Sequence, residues 1–421
     1  MATSFAIANA ELQELFFKAR SKTISISERK STETAVGIAL DLPLGGLLTL
    51  ITSVSHLNTL SDQWQSLENN SAITPTVFQS FAWVESWAEN YGMSGGETEI
   101  HVFSGFVENQ LVFVLPLMKT THLGVTTLNW LTDPIGQYGD ILCAKDQSVA
   151  KWMSAALQLI NRLKGIDIIR LRHVREQSTI GQYADKNFCD ANLHEQAPYL
   201  DLTSFKNDAE YDARYNSQQR KRRKKIRSKL EEMGEVKFST IAPGSSNDQA
   251  ISEAIREKND WLSERGRFNR VMGCPRHIGF LKSLSRSNTQ GLEFVTSELT
   301  AGGKPVSWEI GFNYKGTHFA YITSHVNSMT DLSPGRLHMD LSQRLAIAGG
   351  QERFDLMVPN DTHKESWCSA KVDTKDYFLS VTTLGKVYGH IYLAMIRPMM
   401  RRAYYGLPSK TLKLLQPFTR H

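Results

Sequence analysis

The chain has 421 residues, 41% hydrophobic and 22% charged, with a formal net charge of +5. That length suggests about two domains, and that balance is ordinary for a globular protein. The widely separated Cys143, Cys189, Cys274 and Cys368 exclude a zinc ribbon, a CxxC pair and a disulfide framework, which points to a reducing, cytoplasmic setting.

The N-terminus, MATSFAIANAELQELFFKARSK, lacks the clean apolar core of a signal peptide. Residues 1–45 are polar and read as a weakly structured arm. The most apolar run, Leu40 to Val54, is interrupted by Asp41 and is too short to span a bilayer, so a soluble chain is expected. After Ser55, Leu57, Leu60, Trp64 and Leu67 recur at helical spacing. A second helix follows Thr74-Pro75, with Phe81, Val84 and Trp87 as a core stripe and Gly92 as its stop. EIHVFSGF and QLVFVLPLMK, joined at Val107-Glu108-Asn109, read as a hairpin. TTLNWL, a turn at Asp133-Pro134-Ile135-Gly136, YGDILC, a helix VAKWMSAALQLINRLKG and a strand IDIIRLRHV complete this half.

A long charged helix, from Asp208 to Met233 with a stop at Gly234, should link the halves. Its segment Arg220 to Lys229 holds eight basic residues in ten. Ile226, Leu230 and Met233 make an apolar stripe beneath the charges, so a solvated amphipathic helix is the default. Arg220, Lys221, Arg222, Arg223, Lys224 and Lys225 are the candidates for contact with an anionic partner such as tRNA, a polysaccharide precursor or a membrane surface. Two helices (Asp248 to Glu264, Pro275 to Ser285), LEFVTSEL, an AGGK turn, PVSWEIGFNY, Lys315-Gly316 and THFAYIT follow. The segment LSPGRLHMDLSQRLAIAGGQERFDLMVPNDTHK then reads as a turn, a helix, a glycine stop, a buried strand and a polar loop. Hairpins followed by a helix and a strand thus occur twice, which predicts a duplicated α+β fold with mixed sheets flanked by helices.

The most informative feature is the helix entry Ser333-Pro334-Gly335-Arg336. Serine can cap free amides, proline fixes the first turn, and glycine admits a ligand to the backbone. Such a helix start attracts anions, and Arg336 adds a permanent forked cation. Glu309, on the strand face opposite Trp308 and Ile310, and Asp355 and Asp361 are candidate proton acceptors. Lys364 is the best candidate for holding a negative group of donor or acceptor, in a polar loop where functional residues concentrate. No HExxH, GxSxG or P-loop lysine motif is present, so neither a metal site nor a nucleophilic triad is expected.

Six pieces in order resemble the GNAT-type acyltransferases of the CelD (cellulose biosynthesis) and FemAB-like group. They are FQSFAWVESW, VLPLMKTTHLGVTTLNWL, SQQRKRRKKIRSKLEEMG, PVSWEIGFNYKGTHFAYITSH, DLSPGRLHMDL and ERFDLMVPNDTHKESW. The resemblance implies tandem GNAT-like folds over 46–205 and 237–395, joined by the basic helix 206–236 and followed by a basic tail 396–421. It implies one retained donor site, in the second half, for acyl-CoA and most simply acetyl-CoA. Ser333, Gly335 and Arg336 would cradle the pyrophosphate, and Glu309, Asp361 and Lys364 would serve catalysis. The implied acceptor is an amine or hydroxyl on a cell-envelope or exopolysaccharide precursor, attacking directly in a ternary complex. A Fem-like transferase using aminoacyl-tRNA and a catalytically silent partner of polysaccharide synthesis are the alternatives. Oligomeric state has no signature in the sequence.

Overall fold

The computed structural model describes residues 38–42, 46–92, 98–267, 269, 271–287, 291–407 and 411. Its strands, in chain order, are β1 (Ala39–Leu42), β2 (Gly46–Ile51), β3 (Thr98–Val107), β4 (Gln110–His122), β5 (Val125–Trp130), β6 (Leu142–Cys143) and β7 (Ile168–Arg175). They continue with β8 (Cys189–Asp201), β9 (Val236–Ile241), β10 (Leu292–Ala301), β11 (Lys304–Tyr314), β12 (Thr317–His325), β13 (Arg353–Asp355) and β14 (Ala370–Ser380). All belong to one sheet, ordered β1-β2-β3-β4-β5-β7-β14-β8-β13-β12-β11-β10-β9, with β6 beside β4. Strand β1 therefore lies inside the segment expected to be an arm. Most of that arm, residues 1–37, falls outside the described residues.

The duplication is visible in two parallel pairs set in an otherwise antiparallel sheet. β5 pairs with β7 after a crossover through helix Val149–Arg162, and β12 pairs with β13 after a crossover through helix Pro334–Ala348. Both pairs are bonded only briefly: Thr127 and Leu128 to Ile168 and Ile169, and Thr317–Phe319 to Arg353–Asp355. Beyond those residues the strands diverge and leave backbone groups without a ladder partner. Buried backbone groups must be satisfied, so each wedge has to be filled by side chains, chain or ligand.

The halves also trade their closing strands. β8, which ends the first half, pairs with β13, and β14, which ends the second, pairs with β7. β8 and β14 pair with each other at the centre. The expected units 46–205 and 237–395 therefore share one continuous sheet rather than two. Aromatic side chains reinforce the joint: Trp83 of the first half meets Phe280, Phe312 and Tyr321 of the second at 4.8, 5.3 and 5.5 Å between ring centres. Buried Tyr314 donates to Glu68 Oε2 at 2.6 Å, and Tyr138 donates to Asp355 Oδ1 at 2.7 Å.

Two helices read as continuous are broken. The stretch after Ser55 forms Val54–Asn58 and Ser61–Asn70. The linking helix forms Asp208–Ala213 and Ser217–Glu231, because Asn216 is extended and starts a new helix. Its side chain accepts from Gln219 N at 2.8 Å while Gln219 Oε1 accepts from Asn216 N at 3.0 Å, a reciprocal cap that sequence periodicity does not register. Ile226 and Leu230 pack on Leu337 and Leu341 of helix Pro334–Ala348, as the apolar stripe predicts. Met233 lies past the helix end and is exposed.

Candidate active site

A cleft of about 400 Å³ opens where β12 and β13 part, lined by Thr323, Ser324 and His325 of β12, Gly335 and Arg336, and Asp361, His363 and Lys364. Its far wall carries Lys258 and Trp261 from helix Ser245–Glu264, and Arg265 just past its end.

The β12 wall is irregular for a reason. Ile310 faces Ile322 and Gly311 faces Ala320, so Tyr321 is an extra, bulged residue. A bulge twists the strand and re-aims the backbone beside a site. The first half holds it in place, since Tyr321 donates to Ile135 O at 2.9 Å and packs on Trp83. Past the bulge Thr323 turns its carbonyl away from β11, where Lys258 Nζ donates to it at 3.0 Å. In an antiparallel ladder a residue's N–H and C=O point the same way. The Thr323 amide is therefore directed into the same wedge.

The helix start differs from its simple reading. Ser333 sits in the left-handed region (φ 56°, ψ 43°), and its side chain accepts no capping bond. Pro334 is first in the helix, and the Arg336 amide turns back to Ser333 O at 3.0 Å. Gly335 leaves the entry open: a Cβ placed there would meet only His325 Nδ1, at 3.6 Å. The Arg336 guanidinium makes no hydrogen bond or ion pair among the described residues. Burial and the neighbouring Arg222 and Arg223 push its pKa down. A cluster of cations beside a helix N-terminus suits a polyanion. Ser324 Oγ, buried on the cleft wall, also has no partner. These features fit the phosphate end of an acyl-CoA.

Asp361 Oδ1 accepts from the amides of His363 and Lys364 at 3.0 Å each, which shapes the loop. Lys364 Nζ donates to Met357 O and Pro359 O, both at 2.9 Å, across the cis Val358-Pro359 peptide. Burial pushes the Lys364 pKa down to about 8, with Lys258 adding to the effect while Asp361 and Asp355 oppose it. His325 is also pushed down by burial, Lys258 and Arg265.

Glu309 stands apart from this group. It is 1% exposed and does not line the cleft. It faces the inner side of helix Pro334–Ala348, where Oε1 accepts from His318 Nε2 at 2.9 Å and Oε2 has no partner. Asp355 is likewise interior, taking bonds from Tyr138 and the Met357 amide. The structure thus brings Ser333, Gly335, Arg336, Asp361 and Lys364 to one cleft and leaves Glu309 behind its wall.

The basic helix divides. Arg223 turns inward, pairs with Asp340 and lies over the rings of Tyr215 and Trp367, 3.4 and 4.5 Å from their centres. Arg220 folds back onto Tyr215 O. Lys221, Arg222, Lys224 and Lys225 remain exposed. Sequence reading missed Lys258, Trp261 and Arg265, although their spacing of three and four residues along one helix and its C-terminal cap places them on a common face.

The matching wedge in the first half is filled from within. The Trp130 indole donates to Arg172 O at 2.9 Å and the Gly139 amide to His173 O at 3.3 Å. A Cβ at Gly139 would fall 1.7 Å from Trp130 Nε1, so chain and ring fit together only with glycine there. Among the described residues no group of His, Cys, Asp and Glu is placed to hold a metal ion.

Residues 217–365 match the acetyltransferase (GNAT) domain family, a range that includes most of the cleft. No curated protein sequence matches the chain. Among solved structures, FemX superimposes with a TM-score of 0.53 at 10% identity, covering 79% of this chain and 98% of that one. A tandem GNAT protein from the clavulanic acid biosynthesis pathway aligns at TM-score 0.47 and 8% identity, over 80% of this chain and 99% of its own. The architecture is a tandem GNAT-like α+β fold.

Proposed function

We propose that the β12–β13 cleft binds an acyl-CoA, most simply acetyl-CoA, and that the protein passes the acyl group to an amine or hydroxyl. The observation that carries this reading is the meeting of an open, cationic helix start with the Lys364 loop in one cleft inside the GNAT-matched range. The bound thioester would supply the activated acyl group. Arg336 and Arg222 hold phosphates, and Gly335 lets them reach the helix amides. The cleft-facing amide of β12 beyond the bulge donates to the oxygen that gains charge as the acceptor attacks.

An ammonium has three donors, and Lys364 spends two on backbone carbonyls. The third is available to the departing sulfur. A pKa pushed down to about 8 suits transfer of that proton to the departing thiolate. Asp361, exposed at the cleft mouth, takes the proton released by the acceptor. Glu309 acts as a positioning residue, holding β12 from behind through His318.

The acceptor class, a cell-envelope or exopolysaccharide precursor as in CelD-like proteins, rests on the sequence resemblance. A second reading, a Fem-like transferase using aminoacyl-tRNA, is favoured by the exposed Lys221, Arg222, Lys224 and Lys225 of the basic helix. Calorimetric titration with acetyl-CoA tests the first. Binding should be saturable, and Arg336→Ala should weaken it about 10- to 100-fold, the loss of a charge-assisted contact. No CoA binding, together with salt-sensitive tRNA binding that disappears on neutralising Lys221, Lys224 and Lys225, would establish the second. Failure of both leaves an accessory protein without chemistry.

A further inference from the structure

Three helical segments run end to end at the C-terminal side: Thr383–Val387, the π-helical Tyr388–Ile396 and Arg397–Gly406. Their inner face is fixed. A Cβ at Gly385 would lie 1.8 Å from Asp167 O, and one at Gly389 would lie 2.4 Å from Phe378 Cε2, so only glycine allows this close approach. Leu393 is fully buried, Asn192 donates to Ala394 O at 2.9 Å, Arg397 pairs with Asp376 at 3.1 Å, and Arg401 pairs with Glu195.

The outer face is apolar. Nine of the thirteen large hydrophobic side chains that stand exposed among the described residues belong to these segments. Val387, Ile391, Met395 and Met399 form one row, and Ile396 and Met400 form part of the row beside it, with Met399 66% exposed. A contiguous apolar face of this kind on a monomer marks an interaction surface.

The charges on the same helix choose the partner. Residues 383–407 contain no Asp or Glu. Lys386 and Arg402 are exposed and make no ion pair among the described residues. A second copy docked here would set Lys386 against Lys386 and Arg402 against Arg402 in parallel, or Lys386 against Arg402 in antiparallel, cation facing cation with no acid on the helix to balance them. A surface that is both apolar and anionic satisfies the whole face. We propose that this helix docks the protein in the plane of an acidic phospholipid surface, apolar rows inserted and Lys386 and Arg402 at the headgroups. Among the described residues no helix is long and apolar enough to cross a membrane.

The test is co-sedimentation of the full chain with vesicles of equimolar phosphatidylglycerol and phosphatidylcholine, against vesicles of phosphatidylcholine alone. Binding to the acidic vesicles, weakened by salt, is expected. Met395→Glu/Met399→Glu should cut partitioning at least about tenfold, since insertion of those rows is the main apolar contribution. Lys386→Gln/Arg402→Gln should cut it by a similar factor, about fivefold per charge near the surface. Both pairs lie outside the acyl-CoA cleft, so acetyl-CoA affinity and circular dichroism should be unchanged. As a variant that keeps the face apolar, Met395→Trp should show a fluorescence blue shift with acidic vesicles. No binding to acidic vesicles, or binding that survives Met395→Glu/Met399→Glu, overturns the proposal. So does a dimer in solution that this double variant dissociates, because the face would then serve a second copy.

Discussion

Arg223→Ala separates the structural cation of the basic helix from its solvated neighbours. The Arg223 side chain is 20% exposed and Asp340 10% exposed. Breaking a fully buried pair costs about 3–5 kcal/mol, but two features reduce that here. The pair is not wholly buried, and Arg344 Nε still reaches Asp340 Oδ2 at 3.2 Å, so the carboxylate keeps one partner. A loss of about 1–2 kcal/mol remains for the ion pair. The stacked contacts with Tyr215 and Trp367 add about 0.5–1 kcal/mol each. The total is about 2–4 kcal/mol, read as a lower urea midpoint at unchanged slope. Arg223→Lys should restore only part of it, because an ammonium lacks the planar, delocalised fork that Arg223 places near both rings. Lys224→Ala, on the exposed face, should move the midpoint by less than about 0.5 kcal/mol. Equal effects of Arg223→Ala and Lys224→Ala would refute the assignment of Arg223 as an anchor between the basic helix and helix Pro334–Ala348.

Gly335→Ala should leave stability unchanged or raise it by up to about 1 kcal/mol, because the added Cβ has room and the helix gains propensity. The same methyl stands in the path of a phosphate, so acetyl-CoA affinity should fall. An unchanged calorimetric affinity would remove Gly335 from the cradle. Gly139→Ala should destabilise by about 1–3 kcal/mol by forcing Trp130 out of the first-half wedge. A wild-type thermal midpoint would mean that the wedge has slack. His173, His277 and His338 are each pushed down by burial to about 4. Their neutral forms support folding above the free-histidine pKa of about 6.5, and that support is lost as pH falls from about 6.5 through 4. Urea midpoints measured down that range should fall, and His277→Leu should flatten the fall, since both its ring nitrogens are buried without partners.

The hairpins were legible because turn chemistry is local. Glu108 and Asn109 adopt φ of 50° and 64°, and Lys315 and Gly316 adopt 47° and 76°, the pattern of tight two-residue turns. The apolar stripe of Ile226 and Leu230 was legible for the same reason: helical periodicity sets which face packs. The break at Asn216 was not, because capping competes with periodicity over a few residues. The exchange of β8 and β14 was also hidden, since strand partners far apart in sequence leave no local mark. In the candidate site, the helix entry led to Gly335 and Arg336, which line the cleft, whereas Glu309 does not line it. Strand alternation assigns a face, and only the packing of helix Pro334–Ala348 decides whether that face opens to a cleft or lies sealed.

By itself, the sequence determined the order of elements, the repeated hairpin-helix-strand pattern and the helix start at Pro334. Each depends on residues within a turn or two of one another. Tertiary structure decided which of the two wedges is open, because that depends on Trp130 and Gly139 closing one and on a bulge at Tyr321 shaping the other. It also decided which cations are free to bind, since Arg223 is consumed by Asp340 and two rings while Arg336 and Arg222 are left together without counter-charge. Charge belongs to a residue type, but its availability depends on what the fold sets beside it.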